Sequence, residues 1–232
     1  MRIRQIRYGA DNLGYVLYGI KSALVVDGGA PEEILRFAEK AGLEIKYVAN
    51  THSHPDHTPG NSNLIKKTGA GHMDFHTLLT AGQLEIDGET IEIIPTPGHT
   101  KDSVCFYSPP WLVSGDTLFN GKVGKCFTGD VDLFLCSVKK ILALPDDTLI
   151  YPGHDYFEEY VEFIRALEPD NARLDAYFES YDPDNVCTLL GEEKKVNPYL
   201  RLNEDKIISI LKNKGLAAET EADRWRSLIS IM

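Results

Sequence analysis

The stretch THSHPDH, Thr51 to His57, puts three histidines and an aspartate into seven residues at the end of an apolar run, LEIKYVAN. Imidazole and carboxylate groups are costly to bury unpaired, so a fold that holds this cluster must give it solvent or a cation. His52 and His54 are two residues apart. On an extended strand they are expected to point the same way, because side chains alternate with a period of two. One metal could take both. Asp56 and His57 lie just past the expected strand end, where a tight turn can aim them at a neighbouring position. Imidazole and carboxylate donors suit zinc, iron or manganese.

Three later segments share one form: an apolar run, a sharp turn and a single ligand-type residue. PTPGHT carries His99, SGDTLF carries Asp116 and YPGHDY carries His154. Each alone is an ordinary turn or cap residue. Joined to H-x-H-x-D-H, they supply the further donors that such a cluster needs. Asp27, in VVDGG, also ends an early strand and is expected to hydrogen-bond a ligand histidine from behind. His72 and His76, in GHMDFH, fall outside the pattern and read as structural or surface residues.

The element order is that of an α/β chain. Three short β runs, IRQIRY, GYVLYG and ALVVDGG, are separated by Gly, Asp and Asn. APEEILRFAEKAG reads as a helix, with Pro31 at its first position, Ile34, Leu35 and Ala38 on one face and Gly42 as its stop. After the strand LEIKYVAN come a short helix in NSNLIKKTGA and two strands in QLEIDGETIEIIPT, turned at Asp87-Gly88. DSVCFYS and WLVSGD add two strands. DVDLFLCSVKKILAL reads as a helix with Val131, Leu135, Val138 and Leu142 in register, and DTLIYPGHDY ends a last strand. Beyond Tyr156, FEEYVEFIRALEPDNARLDAYFESYD and NEDKIISILKNKG are helical patterns, the second with Asn203 as N-cap and Gly215 as C-cap. The expected organisation is two packed sheets with helices outside over residues 1–156, and a helical region over 157–232 that shapes the pocket.

Composition narrows the function classes. With 24 Lys and Arg against 35 Asp and Glu, the net charge is −11, so a general nucleic-acid surface is not expected. No stretch approaches the ~20 apolar residues of a membrane span, and MRIRQIRYGA lacks the apolar core of a secretory signal. Cys105, Cys126, Cys136 and Cys187 are scattered without a C-x-x-C, which leads us to expect reduced thiols and a cytoplasmic protein.

The motif segments, in this order over residues 1–156, resemble the metallo-β-lactamase superfamily, whose fold is an αββα sandwich. The resemblance implies that His52, His54 and His99 bind one metal, that Asp56, His57 and His154 bind a second, and that Asp116 bridges the two. It implies two divalent ions per chain, zinc first among them, with iron or manganese also suited. Seven protein ligands leave each ion an open position that a bridging hydroxide can fill, and two cations lower the pKa of that water. Asp56 would then also orient the hydroxide.

The flanking segments select among the superfamily's members. SGDTLFNGKVGKCFTGD resembles the segment after the bridging aspartate in the glyoxalase II (hydroxyacylglutathione hydrolase) family, where a Gly-Lys-aromatic-aromatic run meets glutathione. Here Gly124 and Lys125 match, Cys126 replaces one aromatic, and Phe127 stands in the place of a tyrosine. YPGHDYFEEYVEFIRALEPDNARL resembles the family's G-H-E-Y helix and puts Tyr156 at a glutathione contact. TLLGEEKKVNPYLR resembles the late N-P-F-x-R segment and puts Arg201 at a glutathione carboxylate, which a guanidinium fork suits. The resemblance thus implies a metal-dependent hydrolase of a glutathione-derived thioester, S-lactoylglutathione or a relative, with no nucleic-acid or membrane partner. Two alternatives stay open. One is an oxidoreductase similar to the mononuclear-iron persulfide dioxygenases; the other is a superfamily hydrolase with a different ester, lactone or thioester substrate. Oligomeric state is not legible.

Overall fold

In the computed structural model, which describes residues 1–231, β1 (Arg2–Tyr8), β2 (Asn12–Tyr18) and β3 (Ser22–Val26) run antiparallel. Helix α1 (Pro31–Ala41) carries the chain to β4 (Glu44–Ala49), and α2 (Asn61–Thr68) carries it to β5 (Gly71–Met73). Both new strands pair in parallel, giving a first sheet in the order β1-β2-β3-β4-β5. Helix α3 (Phe75–Ala81) leads to an antiparallel meander of β6 (Gln83–Ile86), β7 (Glu89–Pro95), β8 (Val104–Ser108) and β9 (Trp111–Gly115). A small hairpin follows, β10 (Leu118–Phe119) with β11 (Lys122–Val123), and then α4 (Val131–Leu142). Strand β12 (Leu149–Pro152) returns parallel to β9. The remaining elements are α5 (Phe157–Leu167), α6 (Leu174–Glu179), β13 (Thr188–Leu189), α7 (Leu190–Val196), a 3-10 turn at Pro198–Leu200, α8 (Asp205–Asn213) and α9 (Glu221–Ser230). The second sheet is ordered β13-β12-β9-β8-β7-β6.

Period-two alternation sorts the strand residues into layers. Tyr15, Leu17, Leu24 and Val26 of the first sheet meet Ile91, Ile93, Phe106 and Val113 of the second in one apolar cluster between the sheets. Their sequence neighbours point the other way. Val16, Ala23 and Val25 pack against Ile34 and Ala38 of α1 and Leu64 of α2. Ile94, Cys105 and Leu112 pack against Phe134, Val138 and Ile141 of α4, and Trp225 of α9 completes that layer. The result is the expected αββα sandwich, with added helices against its second outer face.

Local chemistry explains the element ends. Pro31 opens α1, and Gly42 closes it in the left-handed conformation. Asp87 and Gly88 form the two-residue turn between β6 and β7, both at positive φ (51° and 83°), as a type I′ hairpin requires. Several expectations need correction. The long helical pattern after Tyr156 is two helices, because α5 stops before Pro169 and α6 starts only at Leu174. Helix α4 buries Phe134, Leu135, Ser137, Val138 and Ile141, so its apolar face is rotated from the expected one and leaves Val131 and Leu142 at the margin. Glu204, not Asn203, is the N-cap of α8, and Lys214 is its C-cap, with Gly215 (φ 70°) one residue further on. Asn203 instead donates to Glu221 and accepts from Arg224 of α9. Among the described residues no helix is long and apolar enough to cross a membrane.

Candidate metal centre

Strands β7 and β9 are each antiparallel to β8, and β12 is parallel to β9, so all three end at the same edge of the second sheet. His99 follows β7, Asp116 follows β9 and His154 follows β12. The loop after β4 in the first sheet brings His52, His54, Asp56 and His57 to meet them. Strand β4 ends at Ala49, so His52 and His54 lie in this loop and not on the extended strand expected. The cause is local: the Thr51 amide donates to Asp27 Oδ1 (2.8 Å). The two rings converge all the same, with His52 Nε2 2.9 Å from His54 Nδ1.

The donors fall into two groups. His52, His54, His99 and Asp116 form one, and Asp56, His57 and His154 form the other, each with its donor atoms within 4.8 Å of one another. His99 Nε2 lies 3.1 Å from His54 Nδ1, and His57 Nε2 lies 3.1 Å from His154 Nε2. Asp116 touches both groups. Its Oδ2 is 3.4 Å from His99 Nε2 and 3.5 Å from His154 Nε2, while Oδ1 is 3.5 Å from His57 Nε2. Asp56 Oδ2 is 3.3 Å from His154 Nε2. Two nitrogens bound tetrahedrally to one zinc at ~2.0–2.1 Å would stand about 3.3 Å apart, so these separations fit a shared ion.

The far nitrogens of the rings are held by fixed partners, which sets the face each ring turns inward. His57 Nδ1 contacts Asp27 Oδ2 at 3.0 Å, His154 Nδ1 contacts Asp11 Oδ1 at 2.8 Å, and His99 Nδ1 contacts the Lys125 carbonyl at 2.8 Å. Asn12 Nδ2 donates to Asp56 Oδ2 at 2.9 Å. Asp27 takes the role expected from its place after β3. Asp11 and Asn12 are not recognisable in the sequence: an Asp-Asn pair where a turn enters a strand is ordinary composition, and its contact with His154 spans 142 to 143 positions.

Electrostatics agree with a cation site. Burial, reinforced by the neighbouring imidazoles, pushes His52 far below the usual histidine range. Burial takes His99 down to about 4, against the pull of the Lys125 carbonyl. Both rings are therefore neutral donors at pH 7. Burial raises Asp116 to about 6, partly offset by His57 and His154, and its Oδ1 is buried with no hydrogen-bond partner. Burial would lower His57, but Asp27, Asp116 and Asp56 outweigh it and lift the ring to about 9. An orphaned carboxylate oxygen, and a ring at His57 that holds its proton only because three carboxylates surround it, mark a site built for a cation.

Two of the proposed substrate residues, Phe127 and Tyr156, adjoin the donor rings. Phe127 is exposed and sets its ring against His54 (5.4 Å between centroids) and His99 (5.2 Å). The Lys125 ammonium lies over Phe127 at 5.1 Å. Tyr156 stacks on His154, 4.9 Å between centroids with planes 5° apart. Arg201 is further removed, and its guanidinium is held by Glu168 (2.6 and 3.2 Å) and Glu204 (2.6 and 2.9 Å). His72 and His76 do not join either donor group.

The fold and the double donor set define a class: the chain belongs to the metallo-beta-lactamase superfamily, whose family profile matches residues 12–76 and 74–154. Residues 155–228 match a second profile, described as hydroxyacylglutathione hydrolase C-terminus. More narrowly, then, the chain is a member of the hydroxyacylglutathione hydrolase family. A hydroxyacylglutathione hydrolase from a Polaromonas species is 39% identical over 211 residues, covering 82% of this chain and 80% of the relative. One from Idiomarina loihiensis is 32% identical over 229 residues, covering 90% and 89%. Among solved structures, ETHE1 from Myxococcus xanthus superposes with a TM-score of 0.65 at 22% identity, covering 98% of this chain and all of that one. The BLEG-1 B3 metallo-beta-lactamase gives 0.64 at 24%, covering 86% and 99%. At such identities these two report on the fold alone.

Proposed function

We propose that this chain hydrolyses 2-hydroxyacyl thioesters of glutathione, S-lactoylglutathione or a close relative, to the hydroxy acid and the free thiol. The observation that carries the reading is the convergence of seven His and Asp donors into two groups that share Asp116. The curated relatives' own names and the match of residues 155–228 support the substrate class. On this reading His52, His54 and His99 hold one divalent ion, Asp56, His57 and His154 hold the other, and Asp116 serves both. Two zinc ions are the first expectation; the same donors accommodate iron or manganese. When bound, such ions supply an activated water at neutral pH and polarise a carbonyl oxygen.

The chain's own groups do the rest. Asp56 stays ionised, since the Asn12 hydrogen bond and the charge of His57 outweigh the effect of its burial. It is half exposed at the mouth of the site, where it can orient the attacking water. Water oxygen bonds to the thioester carbon, the C–S bond breaks, and the thiolate leaves and takes up a proton. Phe127 and Tyr156, against the outer rings of the two donor groups, flank the path of the acyl–sulfur group, and Lys125 and Arg201 border the thiol carrier, Arg201 with its charge already met by Glu168 and Glu204. The region over 157–232 shapes the carrier end of the pocket.

The test is loss of thioester absorbance when the metal-loaded protein meets S-lactoylglutathione, run beside metal quantification. Turnover with about two metals per chain is expected, and a strong chelator should abolish it. No turnover above a His54→Ala control would overturn the substrate. A single iron with oxygen uptake on glutathione persulfide would favour the dioxygenase alternative.

A further inference from the structure

Lys122 is nine-tenths buried, with 9% of its surface exposed. Among the described residues, no carboxylate lies within 4 Å of its ammonium and no acceptor hydrogen-bonds it. Its Nζ lies over two rings, 4.9 Å from the centroid of Tyr160 and 4.7 Å from that of Phe163. Such faces attract an ammonium, but less strongly than the water that burial removes from it. Burial accordingly pulls the Lys122 pKa below the usual lysine value, and only the more distant Glu159 pulls the other way. Packing alone does not account for a lysine here.

Its placement gives the reason. Lys122 of β11 faces Phe119 of β10 across their hairpin, and directly opposed residues of an antiparallel pair share a face. The Phe119 ring rests on Tyr156 (5.4 Å), Tyr160 (5.7 Å) and His154 (6.1 Å). Lys122 therefore stands at the far end of an aromatic wall whose near end is a candidate metal ligand. Strand β11 also packs on the 3-10 turn that precedes Arg201. The two cations named above, Arg201 and Lys125, differ from it. Arg201 is neutralised by Glu168 and Glu204, and Lys125 is solvated.

We propose that Lys122 is a specificity-determining residue: it binds a carboxylate of the substrate's thiol carrier, an aromatic wall away from the reacting carbonyl. The inference rests on the thioester reading above. Glutathione carries two carboxylates. The Lys122 stem is buried and its ammonium is held over two rings, so an incoming carboxylate gains an ion pair with little further ordering of the side chain. A carrier without a carboxylate gains nothing there, and the enzyme discriminates by charge at a distance from the chemistry.

The experiment compares binding of glutathione and glutathione diethyl ester to the full chain by calorimetry, in the natural protein and in Lys122→Met and Lys122→Arg. Met fills the space of the stem without the charge; Arg keeps the charge. The natural protein should bind the acid at least about tenfold tighter than the ester, and Lys122→Met should bind the two within about threefold. Lys122→Arg should keep most of the preference. KM for S-lactoylglutathione should rise about tenfold in Lys122→Met with kcat within about twofold. Equal binding of acid and ester by the natural protein overturns the assignment without recourse to any variant, and so does an unchanged preference in Lys122→Met. A protein that shows the Lys122-dependent preference yet hydrolyses no hydroxyacyl thioester overturns the reading of function and leaves the carboxylate site standing.

Discussion

Asp27 and His57 meet at 3.0 Å with neither side chain exposed to solvent, and the same carboxylate also takes the backbone amide and hydroxyl of Thr51. One aspartate thus fixes both the start of the ligand loop and the orientation of a ring near its end. On the two-ion reading proposed above, Asp27→Ala should weaken binding of the ion assigned to His57 about 10- to 100-fold, the usual scale for losing such an outer partner. Competition with a graded series of chelators would read this. Equal weakening of both metals would show a general loosening of the loop instead.

Gly153 lies against Asp116. A methyl group there would come within 2.1 Å of Asp116 Oδ1. Gly153→Ala should therefore displace the carboxylate that both donor groups share, lowering metal content per chain and cutting kcat/KM at least about 100-fold. Metal analysis of the purified variant, with thermal unfolding as a check on folding, tests this; full metal occupancy would contradict it.

Glu193 is fully buried and accepts four hydrogen bonds: from Tyr177 and Thr188 to Oε1, and from the Gly121 amide and Asn197 to Oε2. It ties α6, α7 and β13 to the hairpin that carries Lys122. Glu193→Ala leaves all four donors unanswered and should cost about 3 kcal/mol or more, while Glu193→Gln, which keeps one acceptor oxygen, should cost less. Urea unfolding of both variants gives the comparison.

Asp87 reaches from the β6–β7 turn of the second sheet to accept the amides of Lys21 and Ser22 at the β2–β3 turn of the first. Those backbone donors lower its pKa to about 2. A carboxyl whose folded pKa is depressed adds stability above its unfolded pKa of about 3.9, and that stability is lost as the pH falls through the folded value. The melting-temperature gap between the natural protein and Asp87→Asn should be full above about pH 4 and should close as the pH falls toward 2. A gap independent of pH would mean that the charge plays no part.

The donor set is legible in the sequence because each member ends an apolar run at a turn, and because four of the seven crowd into six consecutive positions. Asp27 is legible for the same reason. Other features are written only in tertiary structure. Asp11 and Asn12 look like turn residues until His154 arrives. The two-residue strands β10, β11 and β13 are too short to show a period. The pairing of Arg201 with Glu168 joins positions 33 apart in sequence. Two local signals carry helix starts that the apolar periodicity leaves unmarked: Asp74 caps α3 through the Thr77 amide, and the Thr220–Asp223 capping box opens α9.

Each donor group draws on both sheets. His52 and His54 come from the first and His99 and Asp116 from the second; Asp56 and His57 come from the first and His154 from the second. An ion in either place would act as a rivet through two plates. Sliding or peeling one sheet from the other would have to break coordination bonds before it disturbed much of the greasy layer between them. The loaded chain should for that reason show its greatest mechanical toughness along the very seam where it carries out its chemistry, and a single-molecule pulling trace should lose its highest force peak when the ions are stripped away.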